Sequence, residues 1–269
     1  MLVSRLRAAG CVFAEDEAAL LMSAARTASE LEALVDRRAA GEPLEHILGW
    51  AEFCGLRVAV ATGVFVPRRR TEFLVGQAAG LGRQAAGLGR HRPASGGRPA
   101  RRPPVVVDLC CGSGAVGAAL VASLGQAELH AVDVDARAVR CARRNVAPAG
   151  GQVYAGNLYE PLPASLQGHV DVLVANAPYV PSAAVQLLPP EARSHEPWAA
   201  LDGGPDGLGV QRKVIEAAPL WLAPGRSLLV ETSAGQAAKT VEAVVHSGLL
   251  PRVARSTELD ATVVIGTRP

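Results

Sequence analysis

Apolar residues in the first forty positions recur at the spacing of amphipathic helices. Three stripes are present: Leu2 with Leu6, then Leu20, Leu21 and Ala25, then Leu31, Leu34 and Val35. Because residues three or four apart share one face of a helix, the stripes predict two or three short helices. Residues 41–43, Gly-Glu-Pro, end the last of them. The stripes fit a small packing module and a substrate-recognition cap equally well.

The next segment predicts extended structure followed by a polar connection. Residues 47–66 carry short apolar runs between glycines, which predicts a β-hairpin. Residues 83–102 hold six arginines together with proline and paired glycines, and no acidic residue occurs between Glu72 and Asp108. This composition is typical of a solvated, mobile linker, which we favour over an RNA-facing arm.

From residue 104 onward, apolar runs of strand length alternate with helical patterns. Four predicted strands end at polar residues: 105–107 at Asp108, 129–132 at Asp133, 170–174 at Asn176, and 227–230 at Glu231. Helices are predicted over 136–146 and 236–247, and a final hairpin over 252–256 and 261–267. The alternation predicts an α/β fold with a parallel, doubly wound sheet. Ligands of such sheets bind beyond the carboxyl ends of the strands, where the four polar residues fall.

Composition narrows the class of protein. The chain has 269 residues, 49% of them hydrophobic, which is enough for a substantial core. A net charge of +2 gives no general affinity for nucleic acid, so we expect no stable nucleic-acid partner. Five cysteines, none in a CxxC pair, predict reduced thiols in a cytoplasmic protein and no metal site. No signal peptide and no apolar run of about 20 residues is seen, which predicts a soluble protein without a membrane partner.

The first candidate binding element lies where the strand at 105–107 meets the following helix. Its residues are Asp108, Cys110, Cys111, Gly112, Ser113 and Gly114. Glycines at such a junction let the backbone turn tightly and approach a ligand closely. Residues 112–117 also match GxGxxG, and Asp133 follows about 20 residues on, where a carboxylate would hold ribose hydroxyls. The element predicts a nucleoside cofactor without specifying which one.

The second candidate element, Asn176-Ala177-Pro178-Tyr179, directly follows a predicted strand. The Asn176 side-chain carbonyl and the Ala177 backbone carbonyl are acceptors for an NH2 group. Pro178 stiffens the turn, and Tyr179 offers its ring to a planar group. An amide nitrogen is a weak nucleophile because its lone pair is delocalised, and two acceptors on its hydrogens would orient it and make it more electron-rich. Asn176, Pro178 and Tyr179 are therefore the catalytic candidates, and residues 176–179 the substrate-binding ones.

The glycine turn, the candidate ribose-binding carboxylate and Asn-x-Pro-Tyr follow one another in this order along the chain. In this order of motifs the chain resembles the protein-(glutamine-N(5)) methyltransferases of the HemK/PrmC type, which modify peptide-chain release factors. The resemblance covers nearly the whole chain. The further matching stretches are 41–49, 66–68 with Thr71 and Glu72, 196–197, 200–201, 203–204, 206–208, 222–225, and Glu231 with Gln236.

The resemblance implies the fold and the division of the chain. It implies a Rossmann-like, seven-stranded class I S-adenosyl-L-methionine-dependent methyltransferase with a small helical N-terminal domain. Residues 1–45 are then a substrate-recognition domain and residues 104–269 the catalytic domain. Residues 46–103 hold the β-hairpin and the basic linker between them.

The resemblance also implies the ligands and their residues. S-adenosyl-L-methionine is the implied cofactor, with residues 110–114 around its methionine end and Asp133 on its ribose. Asn157 and Leu158 flank the adenine, and Asn176 also lies close to the cofactor. The implied partner is a peptide-chain release factor, whose glutamine amide is held by residues 176–179.

Four positions depart from the family pattern. Cys110 stands where the first loop glycine is usual, and Ala177 replaces the first proline of Asn-Pro-Pro-Tyr. Asn157 stands where aspartate is common, and Arg70 where an acidic residue is usual. Ala177 keeps the backbone carbonyl that the amide grip requires, and Asn157 keeps an acceptor for an adenine amino group.

Other functions stay open at this point. A nucleic-acid adenine-N6 methyltransferase uses a similar motif but would need to flip its base, and no target-recognition domain is seen. A small-molecule N-methyltransferase also fits, as does an inactive cofactor-binding module. An NAD-dependent dehydrogenase would fit GxGxxG but leaves residues 176–179 without a role.

Overall fold

The computed structural model describes residues 2–87 and 102–269. In this part of the chain the α-helices are α1 (Leu2–Ala8), α2 (Ala14–Ala24), α3 (Ala28–Ala39), α4 (Leu44–Leu48), α5 (Glu72–Ala85), α6 (Ala115–Leu124), α7 (Ala136–Val146), α8 (Pro190–His195), α9 (Trp198–Leu201), α10 (Gly209–Trp221) and α11 (Ala237–His246). The strands are β1 (Trp50–Phe53), β2 (Leu56–Ala59), β3 (Val105–Leu109), β4 (Glu128–Asp133), β5 (Gln152–Ala155), β6 (Val170–Ala175), β7 (Leu222–Thr232), β8 (Leu250–Ser256) and β9 (Ala261–Thr267).

Seven strands form one sheet in the order β5-β4-β3-β6-β7-β9-β8. This confirms the α/β class and the seven-stranded sheet. β3 to β7 pair in parallel, whereas β9 runs antiparallel to both β7 and β8. β8 and β9 are the final hairpin predicted over residues 252–256 and 261–267, which is thereby confirmed. The chain joins them through a turn at residues 257–260, and so short a connection permits only antiparallel pairing.

The central strands are buried on both faces, which explains their continuous apolar runs. Val106 on β3 and Val172 on β6 face a core layer built with α5 and α6. Val107 and Leu173, the next residues along the same strands, face the opposite layer, which contains residues of α10 and α11. The sheet is thus sandwiched between helices, and only its strand ends are left to form a site.

The elements that were not predicted from the sequence are α4, α5, α8, α9, α10 and β5. β5 pairs with β4 at the edge of the sheet, and α5 occupies residues that the prediction gave to a hairpin and linker. α5 buries the small residues Ala78 and Ala79. Residues 88–101 of the predicted basic linker lie outside the described residues.

The N-terminal helices have a small core of their own. Leu6, Leu21 and Val35 are fully buried in it. α3 ends at Ala39, and Pro43 precedes a further short helix, α4, so helical structure extends to Leu48. The helices contact the remaining chain through Arg38, whose Nη1 lies 3.3 Å from Glu191 Oε2.

Candidate active site

The carboxyl ends of β3, β4, β6 and β7 meet at one edge of the sheet, where a cavity of about 900 Å³ opens. The chain leaves β3 towards β4 on one side, while β6 lies on the other, so a crevice forms between them. The cavity is lined by almost all predicted site residues: Asp108, Cys110, Cys111, Gly112, Ser113, Asp133, Asn157, Leu158, Asn176, Ala177, Pro178 and Tyr179. Gly114 alone of the predicted set lies outside the lining.

The loop between β3 and α6 has left-handed backbone at Cys110, Gly112 and Gly114, with φ of 56°, 54° and 77°. Gly114 precedes the first residue of α6, and a Cβ there would lie 2.9 Å from Val146 Cγ2 and 3.0 Å from Ala142 Cβ. Gly114 therefore lets α6 begin in close contact with α7. Cys110 adopts the same backbone region at a cost of roughly 1–2 kcal/mol.

Asn145, on α7, fixes this loop against the β1–β2 hairpin. Its Nδ2 donates to the backbone oxygens of Ser113 and Ala59, both at 2.8 Å, and its Oδ1 accepts from the Ala59 amide at 2.8 Å. The sequence reasoning did not identify Asn145, because its partners lie 32 and 86 residues away.

Two carboxyl groups flank the loop and have different partners. Asp133 Oδ2 accepts from the Gly112 amide at 2.8 Å, and Oδ1 accepts from the Asp135 amide at 2.9 Å. Burial raises the pKa of Asp133, while these backbone donors oppose the rise. Asp108 is more deeply buried and accepts from the Gly117 amide at 2.9 Å, which ties β3 to α6. Burial raises the pKa of Asp108 to about 7.

Asn157 and Leu158 follow β5 on the far side of the cavity from Asn176. Asn157 Nδ2 donates to Glu160 Oε1 at 3.0 Å, which leaves its carbonyl oxygen available as an acceptor. Leu158 has a φ of 49°, and its side chain packs partly against the core. The structure therefore brings both residues to the cavity with one polar and one apolar group.

Asn176 directly follows β6, and its side-chain amide is oriented by a neighbour. Its Nδ2 donates to Thr71 Oγ1 at 3.2 Å, so its Oδ1 is the atom left to accept from a ligand. Ala177 is buried, and the backbone oxygen of Tyr179 accepts from Gln236 Nε2 at 2.9 Å. The turn that carries the predicted amide grip is thus held at both ends.

Glu231, at the end of β7, lies behind this turn and is only 2% exposed. Burial raises the pKa of the Glu231 carboxyl group, and the hydroxyls of Thr71 and Tyr179 oppose this rise. Arg70 Nε lies 4.0 Å from Glu231 Oε1 and also favours the ionised form. Burial likewise raises the pKa of Tyr179, so its hydroxyl keeps its proton at neutral pH.

The cavity has a further wall in the segment after α8. Glu196 accepts from the Val66 amide at 3.2 Å and from Arg68 Nη2 at 2.6 Å, which fastens this wall to the segment before α5. Trp198 is about half exposed at the cavity, and its indole NH donates to Asp202 Oδ2 at 3.0 Å.

Within residues 2–87 and 102–269 no three His, Cys, Asp or Glu side chains are grouped so that they would hold a metal ion. All five cysteines are free thiols, and burial raises the pKa of Cys110 and Cys111. In the same part of the chain, no helix has the length and apolar character needed to cross a membrane.

The cavity suits a nucleoside cofactor. Its volume is in the range of small-molecule sites. Asp133 presents a carboxylate that backbone amides hold in place, and a carboxylate is the group that binds ribose hydroxyls at the end of the second strand. Asn157 and Leu158 add an amide oxygen and an apolar surface suited to a base.

The chain is similar in sequence to known methyltransferases. Residues 99–188 match the family model described as methyltransferase small domain. The chain is 40% identical to the release factor glutamine methyltransferase of Geobacter sulfurreducens over 76% of this chain and 65% of that protein. It is 38% identical to that of Mycolicibacterium smegmatis, covering 81% and 71%, and 35% identical to that of Bradyrhizobium diazoefficiens, covering 90% and 78%.

Solved structures share the fold at low sequence identity. A 16S rRNA N2 G1207 methyltransferase of T. thermophilus, solved with AdoMet and guanosine, is 16% identical with a TM-score of 0.53, covering 82% of this chain and 50% of that one. A ribosomal protein L11 methylase of Lactobacillus delbrueckii is 16% identical with a TM-score of 0.50, covering 78% and 83%.

The sheet order, the strand-end cavity and these matches define a class I S-adenosyl-L-methionine-dependent methyltransferase. S-adenosyl-L-methionine is the methyl donor of this class. Within the class, the chain belongs to the release factor glutamine methyltransferase family, as the identities over most of its length show. The resemblance drawn from the motifs is thereby confirmed.

Proposed function

We propose that the protein methylates the side-chain amide N(5) of glutamine in the Gly-Gly-Gln loop of a peptide-chain release factor. The observation that carries this proposal is the orientation of Asn176, whose Nδ2 is engaged by Thr71 while Oδ1 stays available. An available carbonyl oxygen suits an acceptor that offers NH hydrogens. The names of the curated relatives support the release factor as partner.

In the proposed complex, different residues of the cavity bind different parts of S-adenosyl-L-methionine. The loop at 110–114 surrounds the methionine end, with Gly114 acting through the packing of the loop. Asp133 binds the ribose hydroxyls, and Asn157 and Leu158 flank the adenine. Asp108 supports the loop from behind through its bond to α6.

The proposed catalytic residues act on the acceptor amide. Bound S-adenosyl-L-methionine supplies an electrophilic methyl group. Asn176 Oδ1 and the Ala177 carbonyl accept the two amide hydrogens, which orients the nitrogen and raises its electron density. Pro178 keeps the turn rigid, and the Tyr179 ring lies against the planar amide. Positioning and fixed dipoles, rather than a strong base, then supply the rate enhancement.

The division of labour along the chain belongs to the same proposal. The N-terminal helices recognise the protein substrate, and the seven-stranded part from residue 104 carries catalysis. The hairpin β1–β2 braces the cofactor loop through Asn145. A cytoplasmic location is supported by the five free thiols, which are typical of a reducing compartment.

Replacing Ala177 with proline is expected to leave glutamine methylation within about threefold of wild type. Among the described residues, the Ala177 NH donates no backbone hydrogen bond outside the sheet. A proline, which lacks this NH, therefore removes no such bond. The carbonyl that grips the amide is kept. Steady-state kinetics on a release factor would measure this, and a loss of a hundredfold would mean that the pocket is shaped for another acceptor.

A panel of acceptors tests the proposed function. Labelled S-adenosyl-L-methionine is incubated with the protein and an unmethylated release factor, its Gln→Ala variant, adenine-containing DNA and RNA, or free glutamine. Transfer to the release factor alone, lost in the Gln→Ala variant, is the expected result. Label in nucleic acid or in free glutamine would replace the proposal by one of the other methyltransferase activities.

A further inference from the structure

The side-chain amide of Asn176 is functional in only one of its two orientations. With Oδ1 towards the acceptor, the residue accepts from an NH2 group. With Nδ2 in that place, two sets of NH hydrogens would face each other and the grip would fail. The energies of the two orientations in isolation are nearly equal, so neighbouring groups must choose between them.

Thr71 is the neighbour that contacts this amide. It is 2% exposed, and its Oγ1 lies 3.2 Å from Asn176 Nδ2. Threonine next to a helix start commonly caps the helix with its hydroxyl, but the Thr71 side chain makes no capping bond to α5. The hydroxyl is therefore free to act between Asn176 and another group.

Glu231 is the group on the other side of Thr71. A hydroxyl has one proton to donate, whereas an ionised carboxylate only accepts. The Thr71 hydroxyl favours the ionised form of Glu231 by lowering the pKa of that carboxyl group, as a donor directed at a carboxylate does. With its proton directed there, Thr71 Oγ1 is left to accept from Asn176 Nδ2 at 3.2 Å. Within the described residues Glu231 Oε2 has no hydrogen-bond partner, although it is buried at the cavity. The carboxyl group is thus desolvated without being fully satisfied, which argues for a functional reason to keep it.

We propose that Glu231 and Thr71 are positioning residues that lock Asn176 with its Oδ1 towards the acceptor amide. In this lock the Glu231 carboxylate accepts the Thr71 hydroxyl proton, and Thr71 Oγ1 accepts from Asn176 Nδ2. A flipped Asn176 side-chain amide would place Oδ1 at Thr71 and could not make the second of these hydrogen bonds. It deepens the proposed function and rests on it, because it explains how the same site favours an acceptor with NH hydrogens.

The test compares two replacements of Thr71. A hydrogen-bonding role and a packing role of this residue predict opposite orders of kcat for the two variants. Thr71→Val keeps the shape and removes the hydroxyl, whereas Thr71→Ser keeps the hydroxyl and removes a methyl group. The lock predicts that Thr71→Val lowers kcat on an unmethylated release factor by about 10- to 100-fold, with Thr71→Ser within about threefold of wild type. Binding of S-adenosyl-L-methionine, measured by calorimetry, stays unchanged in both. The reverse order, with valine active and serine impaired, would assign Thr71 to packing and overturn the proposal.

Glu231 is tested through its coupling to Thr71. Glu231→Met removes the acceptor while filling the space with an unbranched apolar chain. If the two residues act in one path, Thr71→Val with Glu231→Met lowers kcat no further than either change alone. Losses that multiply would show that the residues act independently and would contradict the lock.

A measurement without a substrate separates this inference from the proposed function. Hydrogen exchange of the Asn176 side-chain NH2, followed by NMR, is expected to be slow in the wild type and in Thr71→Ser and faster in Thr71→Val. If the wild type methylates no release factor, the proposed function fails while this difference still supports the lock. Equal exchange in all three proteins would overturn the lock even in an active enzyme.

Discussion

Asn176→Ala is expected to lower kcat for glutamine methylation by about 100- to 1,000-fold, comparable to the loss of a preorganised hydrogen-bonding group in other active sites. The side-chain oxygen that accepts from the substrate amide disappears, so the nitrogen is neither oriented nor made more electron-rich. The Kd of S-adenosyl-L-methionine should stay within about threefold of wild type. Kinetics on a release factor and calorimetry with the cofactor would measure the two effects separately.

Asn176→Asp is the matched control for that change. It keeps the size of the side chain and an oxygen towards the substrate, so it should retain more activity than alanine does. Equal turnover of Asn176→Ala and the wild type would remove the amide grip from the mechanism.

The Asp133→Ala substitution should weaken S-adenosyl-L-methionine binding by about 1–3 kcal/mol, the range for lost hydrogen bonds to a charged group. Asp133 is held by the Gly112 and Asp135 amides, so its carboxylate needs no rearrangement to accept from the ribose. Calorimetry on the purified protein measures this directly.

Two controls separate binding from folding in the Asp133 experiment. Asp16→Ala on the exposed side of α2 makes the same change in net charge away from the cavity and should leave cofactor affinity unchanged. Thermal unfolding without cofactor reports any damage from the lost backbone bonds. Wild-type affinity in a folded Asp133→Ala protein would take Asp133 out of the cofactor site.

Strand ends were the part of the fold that the sequence predicted best. Runs such as 105–107 and 170–174 are buried on both faces, and a polar residue after each marks the edge where ligands bind. β5 was missed because it has only four residues at the sheet edge, with two half-buried residues between exposed ends and no alternating pattern. α5 was missed because its alanines and glycines resemble a linker until α6 packs against them.

Only the site residues that belong to a short local motif could be predicted from the sequence. Asn176 and Asp133 could be found because each follows a strand in a short pattern. Thr71 lies 105 residues from Asn176, and Asn145 lies 86 residues from its hairpin partner. No local spacing relates such pairs, because the sheet order and the packing of α5 and α7 bring them together. Glu231 was located at a strand end, but its contact with Thr71 required the fold.

The most direct measurement is mass spectrometry of a release factor after incubation with the wild-type protein and labelled S-adenosyl-L-methionine. The substrate is isolated in unmethylated form, and its Gln→Ala variant and the Asn176→Ala enzyme serve as controls. The expected result is a single added methyl group on the glutamine of the Gly-Gly-Gln loop, absent from both controls. A methyl group on any other residue, or equal labelling by Asn176→Ala, would contradict glutamine methylation by this site.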